Sequence, residues 1–562
     1  MRQSKLFTKT RKQFAKDEAS INARLLIRAG YIDKLMAGAY TYLPLGLRVL
    51  RKIEQVIRQN MNKIGGQEIF MPALQPKENW QATGRWRGFD VLFRLKGNGG
   101  REYALGPTHE EVVTPLASQF VFSYKDLPQA VYQFQDKFRD EPRAKSGLLR
   151  GREFRMKDLY SFHTDEKDLD VYYNKAAKAY EDIWHQLGIG NKTFKTLAAG
   201  GTFSKYSHEY QTICQHGEDV VFQLPNSFQT YNREIAPCRA PKFEQNEEEK
   251  EKKDILGKGI IGVKELAEFL NIPVEKTTKT ILFQNEKKQI IAAAVRGDYD
   301  INEFKLRDVS GSEQLELASE EAVRQLTGAE LGYAGIIDLP KQIQIFMDDS
   351  IADRVNFEIG ANRTNYHTIN VNFGRDLPLP EKFYDIKLAK PGDLHPDSGQ
   401  KYKVLKSIEV GNIFKLKTKY SDAFSLNYQD KDGKIKPVQM GCYGIGPGRV
   451  MGSIVEVSHD DKGIIWPENI APYKYHLINL SKDDKVTAQV ENMYKQLTKT
   501  GHEVLYDDRD SQSPGEKLKD ADLIGIPYRL VVSDKTSGQI ELKARNKTKT
   551  ELVNFKKFIS SI

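Results

Sequence analysis

The segment "FRDEPRAKSGLLRGREFRMKDLYSFH", residues 138–163, carries arginines that alternate with apolar residues instead of collecting in a charged tail. They are Arg139, Arg143, Arg150, Arg152 and Arg155. A guanidinium group is planar, keeps its charge and binds phosphate oxygens with fixed geometry. The pattern predicts a strand with Arg139 and Glu141, a basic loop, and a returning strand with Arg150 and Phe154. Phosphate binding is the first function that this segment suggests.

Glycine-rich phosphate loops do not account for these arginines. The pattern GxxxxGK[ST] does not occur, which excludes the P-loop NTPases. "GIGPGR" (residues 444–449) resembles a dinucleotide-binding loop only superficially, because Pro447 and Arg449 stand where that fingerprint would open a helix. The arginines themselves remain the candidates for holding phosphate.

Composition indicates a large globular protein. Of its 562 residues, 39% are hydrophobic and 29% are charged, and the length predicts about three or four domains. No apolar run approaches the roughly 18 residues of a membrane helix, and residues 1–12 form a charged start without an apolar signal core. We expect a cytoplasmic protein with no membrane partner.

The net charge and the spacing of the cysteines limit the kinds of partner and metal site that the chain can have. The formal net charge of +9 fits a solvated surface as well as a polyanionic partner. Basic residues are concentrated between positions 535 and 557, where they could meet nucleic acid phosphates. Cys214, Cys238 and Cys442 lie far apart without a CxxC pair, which argues against a disulfide framework and a four-cysteine zinc site.

Hydrophobic periodicity predicts the main elements. Residues 45–64 predict an amphipathic helix that ends at Gly65 and Gly66. "QEIFMPALQP" (residues 67–76) predicts a strand interrupted by Pro72. The charge run "EQNEEEKEKKD" (residues 244–254) predicts a solvated linker or an exposed helix entry at a domain boundary.

The second half of the sequence predicts two further units, each built from both helices and strands. "GIIGVKELAEFL" (residues 259–270) predicts a helix, and "KTILFQ" (279–284) and "QIIAAAV" (289–295) predict strands. The last stretch of about 90 residues alternates strand, helix and strand, which predicts a small α/β domain.

Three segments together resemble the motifs of class II aminoacyl-tRNA synthetases. The helix at 45–64 with the Pro72 segment resembles the first motif, "FRDE" through "RGREF" (138–154) the second, and "GCYGIGPGR" (441–449) the third. Within this class the chain is most similar to the bacterial-type prolyl-tRNA synthetases. The matching segments are "GPTHEE" (106–111), "MKDLYSFH" (156–163), "SHEY" (207–210), "GANRTNYHTINVNFGRD" (360–376), "EVGNIF" (409–414) and "TKYS" (418–421).

The resemblance extends from "RAGYIDKLMAGAYTYLPLG" (28–46) to "DDRDSQSPGEKLKDADLIGIP" (507–527). It implies an α+β fold with a class II antiparallel-sheet catalytic domain, an inserted α+β editing domain and a C-terminal α/β anticodon-binding domain. The implied limits are 1–225 and 406–468 for the catalytic domain, 226–405 for the insertion and 469–562 for the last domain. The resemblance also implies a homodimer, with Pro72 near the contact.

The implied reaction joins L-proline and ATP into prolyl-adenylate, with Mg²⁺, and then transfers the prolyl group to tRNA(Pro). By resemblance, Arg139 would hold the α-phosphate and the proline carboxylate, and Arg150 and Arg449 the β,γ-phosphates. Glu141 would bind the adenine amino group, and Phe154 would stack on the ring. Proline's carboxylate is already ionised, so catalysis by Arg139 and Arg449 is alignment and charge stabilisation rather than base catalysis.

The proline pocket implied by the resemblance contains Thr108, Glu110, Arg139, His163 and Cys442. A carboxylate beside a hydroxyl suits proline's charged secondary ammonium, because a buried cation needs an anionic or strongly polar partner. For His163 and Cys442, an ordinary packed side chain is the alternative interpretation.

The resemblance implies two further sites. A pocket shaped for proline cannot exclude the smaller alanine, so hydrolytic editing is expected, with Lys279 and His367 near the misattached residue. Ile336 stands where this family's editing loop usually has proline, which puts the loop geometry in doubt. For tRNA, the implied contacts are Arg143, Asp507, Asp508 and Arg509, although a capped turn also explains the two aspartates.

Three other functions remain open from the sequence. One is a noncatalytic tRNA-binding paralogue, and another is a synthetase for a different amino acid. The third is a zinc protein built on Cys214, His216 and Cys238.

Overall fold

The computed structural model describes residues 1–13, 18–144, 146–201, 203–225, 227–243, 245–536 and 538–561. The chain forms two compact units. The first consists of Met1–Lys195, Gly200–Asp219 and Lys406–Ile562, and the second of Thr196–Ala199 and Val220–Leu405. The three domain limits implied by the resemblance stay predictions. Within the described ranges, no helix combines the length and apolar composition that crossing a membrane requires.

Six strands of the first unit lie side by side and carry the candidate site. In chain order they are β1 (Gln67–Glu68), β2 (Gln129–Phe138), β3 (Glu153–His163), β4 (Tyr206–Ile213), β5 (Lys403–Lys417) and β6 (Gln439–Ile445). Their order is β1, β2, β3, β6, β5, β4, and every neighbouring pair is antiparallel except β1 with β2. The antiparallel catalytic sheet is confirmed.

Alternation along β3 assigns each of its residues to one face of this sheet. Leu159 lies opposite Tyr443, and Tyr160 lies opposite Cys442, so the members of each pair share a face. Leu159 and Tyr443 belong to one large hydrophobic cluster, and Tyr160 and Cys442 belong to another. Position parity on β3 therefore decides which side chains can reach the candidate site.

Several helices contribute to the cluster on the Leu159 face. Among them are α1 (Pro44–Lys63), α2 (Glu166–Gln186) and α3 (Pro447–Val457). Helix α1 confirms the amphipathic prediction, since Leu50, Ile53, Ile57 and Met61 are buried. Its first residue is proline, which suits a helix start because that position has no intrahelical N–H partner.

The segment "QEIFMPALQP" does not form the single interrupted strand that its sequence predicts. After β1 the side-chain amides of Gln133 and Gln135 bind the N–H and the C=O of Met71, at 2.9 and 2.7 Å. Strand structure resumes at Leu74–Pro76, in a separate three-stranded sheet. Because Pro72 has no N–H, a regular ladder cannot continue through it, and side chains supply the partners instead.

The other elements of the first unit before its last domain are shorter. The helices are Ile21–Arg28, Lys77–Ala82, Arg85–Gly88, Glu110–Ala117 and Lys419–Ala423. The strands are Ile32–Met36, Ala39–Tyr42, Leu74–Pro76, Phe93–Lys96, Glu102–Leu105, Asn427–Gln429, Ile435–Pro437, His459–Asp460 and Gly463–Ile464.

The end of the chain forms the α/β arrangement that its sequence predicts. The sheet order is Val504–Asp507, Tyr475–Asn479, Tyr528–Val532, Ile540–Ala544 and Glu551–Val553. The first three strands are parallel and the last two join antiparallel. The helices are Asp484–Lys499, Pro514–Ile524 and Phe555–Ser561.

The first residues of the chain pack against this last sheet and its helices. Arg2 donates two hydrogen bonds to Glu491, at 2.6 and 2.5 Å, and a third to Asp508 at 3.3 Å. Ser4 donates to Asp508 from its N–H at 2.9 Å and from Oγ at 2.8 Å. The contact between Arg2 and Asp508 joins residues 506 positions apart.

The second unit contains two main sheets. The four-stranded sheet has the order Leu315–Leu317, Thr278–Asn285, Ile290–Arg296 and Gln344–Met347, and the three-stranded sheet has the order Lys253–Leu256, Tyr366–Val371 and Phe357–Gly360. The helices are Val263–Leu270, Glu303–Ser310 and Glu320–Thr327. Residues of Thr193–Ala199, Asp219–Gln223 and Thr230–Asn232 add short strands. The helix and strands predicted over 259–295 are confirmed.

The charge run at 244–254 is exposed over residues 246 and 248–254, as its composition predicts, but it lies within the second unit and is not a linker at a domain boundary. Glu244 lies outside the described residues. Glu247 forms an ion pair with Lys276 and accepts a hydrogen bond from Asn356 at 3.2 Å. The bond from Lys276 lowers the pKa of Glu247 to about 2. The run ends in the strand Lys253–Leu256, so it belongs to the folded unit.

Candidate active site

Glu110 is the buried centre of the candidate site. It is the first residue of the helix Glu110–Ala117 and is fully buried. Its carboxylate accepts a hydrogen bond from Thr108 Oγ1 and another, at 3.2 Å, from Cys442 Sγ. Burial, with the charge of Glu110, raises the pKa of the Cys442 thiol, so the thiol stays a neutral donor. The structure thus joins three residues of the predicted proline pocket.

A buried ion pair on the same sheet face is missed by the sequence analysis. Lys137 Nζ lies 2.7 Å from Asp158 Oδ1, and Gln133 donates to Asp158 Oδ2 at 2.9 Å. Burial would raise the pKa of Asp158, but Lys137 and His109 lower it below its usual value. The period of two in β3 indicates that Asp158 and Tyr160 share a face, but only the register between β3 and β6 shows that this is the face of Cys442.

The structure does not bring His163 to this cluster, which corrects its predicted place in the proline pocket. His163 lies opposite Gln439 on β6, three positions from Cys442, so it belongs to the other face. Its Nδ1 lies 2.9 Å from Asp168 Oδ2, and its ring packs against Tyr172 at 5.4 Å between centroids. Burial lowers its pKa. His163 is a packed residue on the helix-covered side.

Arg139 and Arg449 lie within electrostatic range of one another. The Cζ atom of Arg139 is 5.2 Å from the ring centroid of Phe154, and Nη2 donates to the Pro107 carbonyl at 3.4 Å. Burial, with the nearby charge of Arg449, lowers the pKa of Arg139, whereas Glu409 opposes this change. Arg449 lies in the first turn of α3, and its Nη1 lies 3.4 Å from Glu409. Segments far apart in sequence therefore converge here.

The other arginines of residues 138–163 divide into two groups. Arg150 pairs with Glu141. Its Nε and Nη2 atoms lie 2.9 and 2.7 Å from Glu141 Oε2, and the charge of Glu141 also acts on Arg139. Arg143 is exposed in the loop. Arg152 and Arg155 have structural contacts. Arg152 donates to the carbonyls of Ala37 and Glu141, both at 3.0 Å. Arg155 pairs with Glu54 at 2.6 Å and with Asp136 at 3.4 Å.

Lys279 and His367 both line a cavity of about 910 Å³ in the second unit. Lys279 Nζ donates to the Tyr299 carbonyl at 2.9 Å and to Asp300 at 2.5 Å. His367 is buried and its Nδ1 lies 2.9 Å from Glu358 Oε1. Burial would lower the pKa of His367, but the bond with Glu358 raises it.

Ile336, the departure in the predicted editing loop, is buried in a hydrophobic cluster. The preceding Gly335 packs against the backbone of Gly360, where an added Cβ would lie only 1.8 Å from the carbonyl oxygen. The loop is therefore held by close backbone contact next to Ile336.

The predicted anticodon residues are engaged in ion pairs within the chain. Asp507 is fully buried and binds Arg509 Nε and Nη2 at 2.8 and 2.7 Å. Arg509 also donates to Asp520 at 3.0 Å, and Asp508 binds Arg2 and Ser4 as described above. Their roles toward RNA stay predictions.

Neither a metal cluster nor a disulfide accompanies these sites in the described part of the chain. No group of three His, Cys, Asp or Glu side chains is arranged to hold a metal ion there, so the zinc interpretation of Cys214, His216 and Cys238 gains no support. The three cysteines are free and buried.

Comparison with known proteins identifies the family. The model of the tRNA synthetase class II core domain (G, H, P, S and T) matches residues 93–458, and that of the anticodon binding domain matches residues 474–562. The proline--tRNA ligase of Pelotomaculum thermopropionicum is 42% identical, over 98% of this chain and 97% of that protein. The Aquifex aeolicus proline--tRNA ligase is 40% identical, over 97% and 96%.

Two solved structures share the fold at low identity. The Giardia lamblia prolyl-tRNA synthetase in complex with prolyl-adenylate has a TM-score of 0.58 at 15% identity, covering 96% of this chain and 75% of that one. The Cryptosporidium parvum enzyme, complexed with halofuginone and AMPPNP, has a TM-score of 0.56 at 13% identity, with the same coverage. Together with the near full-length sequence identity above, these matches place the chain in the proline--tRNA ligase family of class II aminoacyl-tRNA synthetases.

Proposed function

We propose that this chain activates L-proline with ATP and transfers the prolyl group to tRNA(Pro). The observation that carries the proposal is the buried Glu110 carboxylate, bonded to Thr108 and Cys442, with the Arg139 guanidinium within its electrostatic range. Proline is a zwitterion, so it needs an anionic partner for its ammonium and a cationic one for its carboxylate. Glu110 and Arg139 supply this pair.

The first step forms a bond between a proline carboxylate oxygen and the α-phosphorus of ATP, and pyrophosphate leaves with the electrons of the broken P–O bond. Arg139 aligns the carboxylate with the α-phosphate, and Arg150 and Arg449 bind the β,γ-phosphates. Glu141 and Phe154 bind adenine. Catalysis is orientation plus stabilisation of developing charge. In the second step a terminal ribose hydroxyl of tRNA attacks the carbonyl carbon, and AMP leaves.

Mg²⁺ would accompany ATP and share the charge of its phosphates. Glu409 fits as a ligand, because a carboxylate oxygen is the donor type that Mg²⁺ prefers and the side chain is partly exposed beside Arg449.

We further propose hydrolytic editing of alanyl-tRNA(Pro) in the second-unit cavity, with Lys279 and His367 near the substrate. The cavity of about 910 Å³ is large enough for an aminoacylated ribose. Wild-type protein should release alanine from alanyl-tRNA(Pro). If it leaves this substrate intact, the editing proposal is wrong, whatever the outcome with proline.

The remaining assignments are proposals of the same kind. The domain limits at 225, 405 and 468, the tRNA contacts of Arg143 and of residues 507–509, and a cytoplasmic location follow from the family. A homodimer is supported by Phe70 and Leu74, which flank Pro72 and are 74% and 52% exposed. Sedimentation equilibrium of the full chain decides between monomer and dimer.

Pyrophosphate exchange tests the main proposal. With Mg²⁺ and ATP, labelled pyrophosphate should enter ATP much faster with proline than with alanine at the same concentration, because the missing methylenes weaken the activation of alanine without abolishing it. Exchange that depends on a different amino acid, or none with any, would refute the assignment.

A further inference from the structure

Arg85 links the carboxylate at the centre of the site to a second buried carboxylate. Its Nη1 donates to Glu111 Oε1 at 2.8 Å and to Tyr420 Oη at 2.9 Å. The same atom lies 3.9 Å from Glu110 Oε2. The Arg85 side chain is only 6% exposed, and neither glutamate side chain is exposed at all.

Aromatic rings surround the rest of the Arg85 guanidinium. Its Cζ lies 4.7 Å from the ring centroid of Phe89, 5.0 Å from that of Phe203 and 5.2 Å from that of Trp80. Such rings stabilise a desolvated cation without binding its N–H groups. Within the described residues, Nε and Nη2 of Arg85 have no hydrogen-bond partner.

The charges around Arg85 explain how it acts on its neighbours. Burial alone would lower its pKa, but Tyr420, Glu111 and Glu110 raise it, so the guanidinium keeps its charge. Burial raises the pKa of Glu111 and raises that of Tyr420 well above its usual value, so Tyr420 is neutral. Lys419 is exposed at the margin of the cluster. Arg85 is therefore the buried cation that the two glutamates share.

We propose that Arg85 is a positioning residue for the amino-acid pocket, and this rests on the proposed function. Glu111, Tyr420 and the rings fix its guanidinium, whose charge holds the Glu110 carboxylate where it can receive the secondary ammonium of proline. At 3.9 Å the contact is longer than a hydrogen bond, so it orients Glu110 without occupying the lone pairs that the ligand needs.

Loss of the Arg85 guanidinium should change the binding of the amino acid and not that of ATP. The contacts of Arg85 described above involve neither Arg139 nor Arg449, the two arginines assigned to phosphates of ATP. Losing the guanidinium should therefore weaken proline binding and leave ATP binding nearly unchanged.

The test measures KM for proline, KM for ATP and kcat by pyrophosphate exchange, with thermal unfolding of each variant. Arg85→Met removes the charge at similar length, and Arg85→Lys keeps the charge without the planar fork. The double variant Arg85→Met with Glu111→Gln removes both members of the ion pair. Arg85→Met should raise KM for proline about tenfold or more, because truncating a buried charge pair is costly. KM for ATP should stay within about twofold, and Arg85→Lys should be intermediate.

The double variant separates positioning from stability. We expect it to recover the melting temperature lost in Arg85→Met and not to recover KM for proline, because Glu110 still lacks its cation. Recovery of both quantities would show a merely structural pair and overturn the proposal. An unchanged KM for proline in a folded variant, or equal rises for proline and ATP, would also overturn it. Absence of proline-dependent exchange in the wild type would instead refute the proposed function.

Discussion

Replacing Arg449 with alanine removes the cation at the start of α3 that we assign to the β,γ-phosphates. The side chain is 30% exposed, and its Nη1 lies 3.4 Å from Glu409, which is 27% exposed. Glu409 left alone can therefore be hydrated by solvent, and the fold should survive. The expected loss is confined to ATP binding.

The magnitude follows from the hydrogen bonds that Arg449 would make. A hydrogen bond to a charged group contributes about 1.5–3 kcal/mol, and partial exposure of Arg449 favours the lower half of that range. About 1.5–2 kcal/mol corresponds to a rise in KM for ATP of roughly 10- to 30-fold. KM for proline should change by less than about threefold, because Glu110 and Thr108 are untouched.

Pyrophosphate exchange over a range of ATP concentrations measures this effect directly. Arg143→Ala is the matched control, since it removes the same charge from an exposed loop position and no tRNA is present in the assay. Circular dichroism confirms that both variants are folded. If KM for ATP in Arg449→Ala matches that of Arg143→Ala, the assignment of Arg449 to the triphosphate is wrong.

Three further predictions concern buried groups. Lys137→Met should lower the free energy of unfolding by about 3–5 kcal/mol, because it leaves the buried Asp158 carboxylate without its cation. Adding Asp158→Asn should recover part of this loss, as measured by urea unfolding. His163→Gln should leave KM for proline within about twofold of wild type, because the side chain lies on the opposite sheet face, and a larger rise would contradict that placement. Glu358→Gln removes the partner that raises the pKa of His367 above 6.5. The stabilisation from that pair is present in full below pH 6.5 and is lost as pH rises through the folded-state pKa, so the two melting temperatures should converge at high pH.

Elements with strong periodicity could be predicted from the sequence. The helix over residues 45–64 and the strands near 279–295 follow from apolar spacing, and the structure places them within a few residues of these limits. The functional motifs could be found because several residue types recur together at separate positions. Arg139, Arg449 and Glu110 became candidates in this way, and their roles stay proposals.

Contacts between distant strands could not be predicted in the same way. Whether His163 or Asp158 faces Cys442 depends on the register between β3 and β6, which no local pattern records. Arg155 looks like Arg139 in the sequence, but its parity on β3 directs it to Glu54 on the helix side. The charge run at 244–254 is exposed for most of its length, as predicted, but the residues that attach it to the second unit, such as Lys276 and Asn356, are distant in sequence and leave no local signal.

The pairing of Arg2 with Asp508 has a consequence for biosynthesis. A ribosome that adds about 5–20 residues per second needs roughly 25–100 s to travel between these two positions. During that time Arg2 and Ser4 are outside or near the exit tunnel without the carboxylate that will hold them. Residues 2–4 can be locked in place only after the segment that carries Asp508 has been synthesised, so a product truncated before that segment should expose residues 2–4 to proteases.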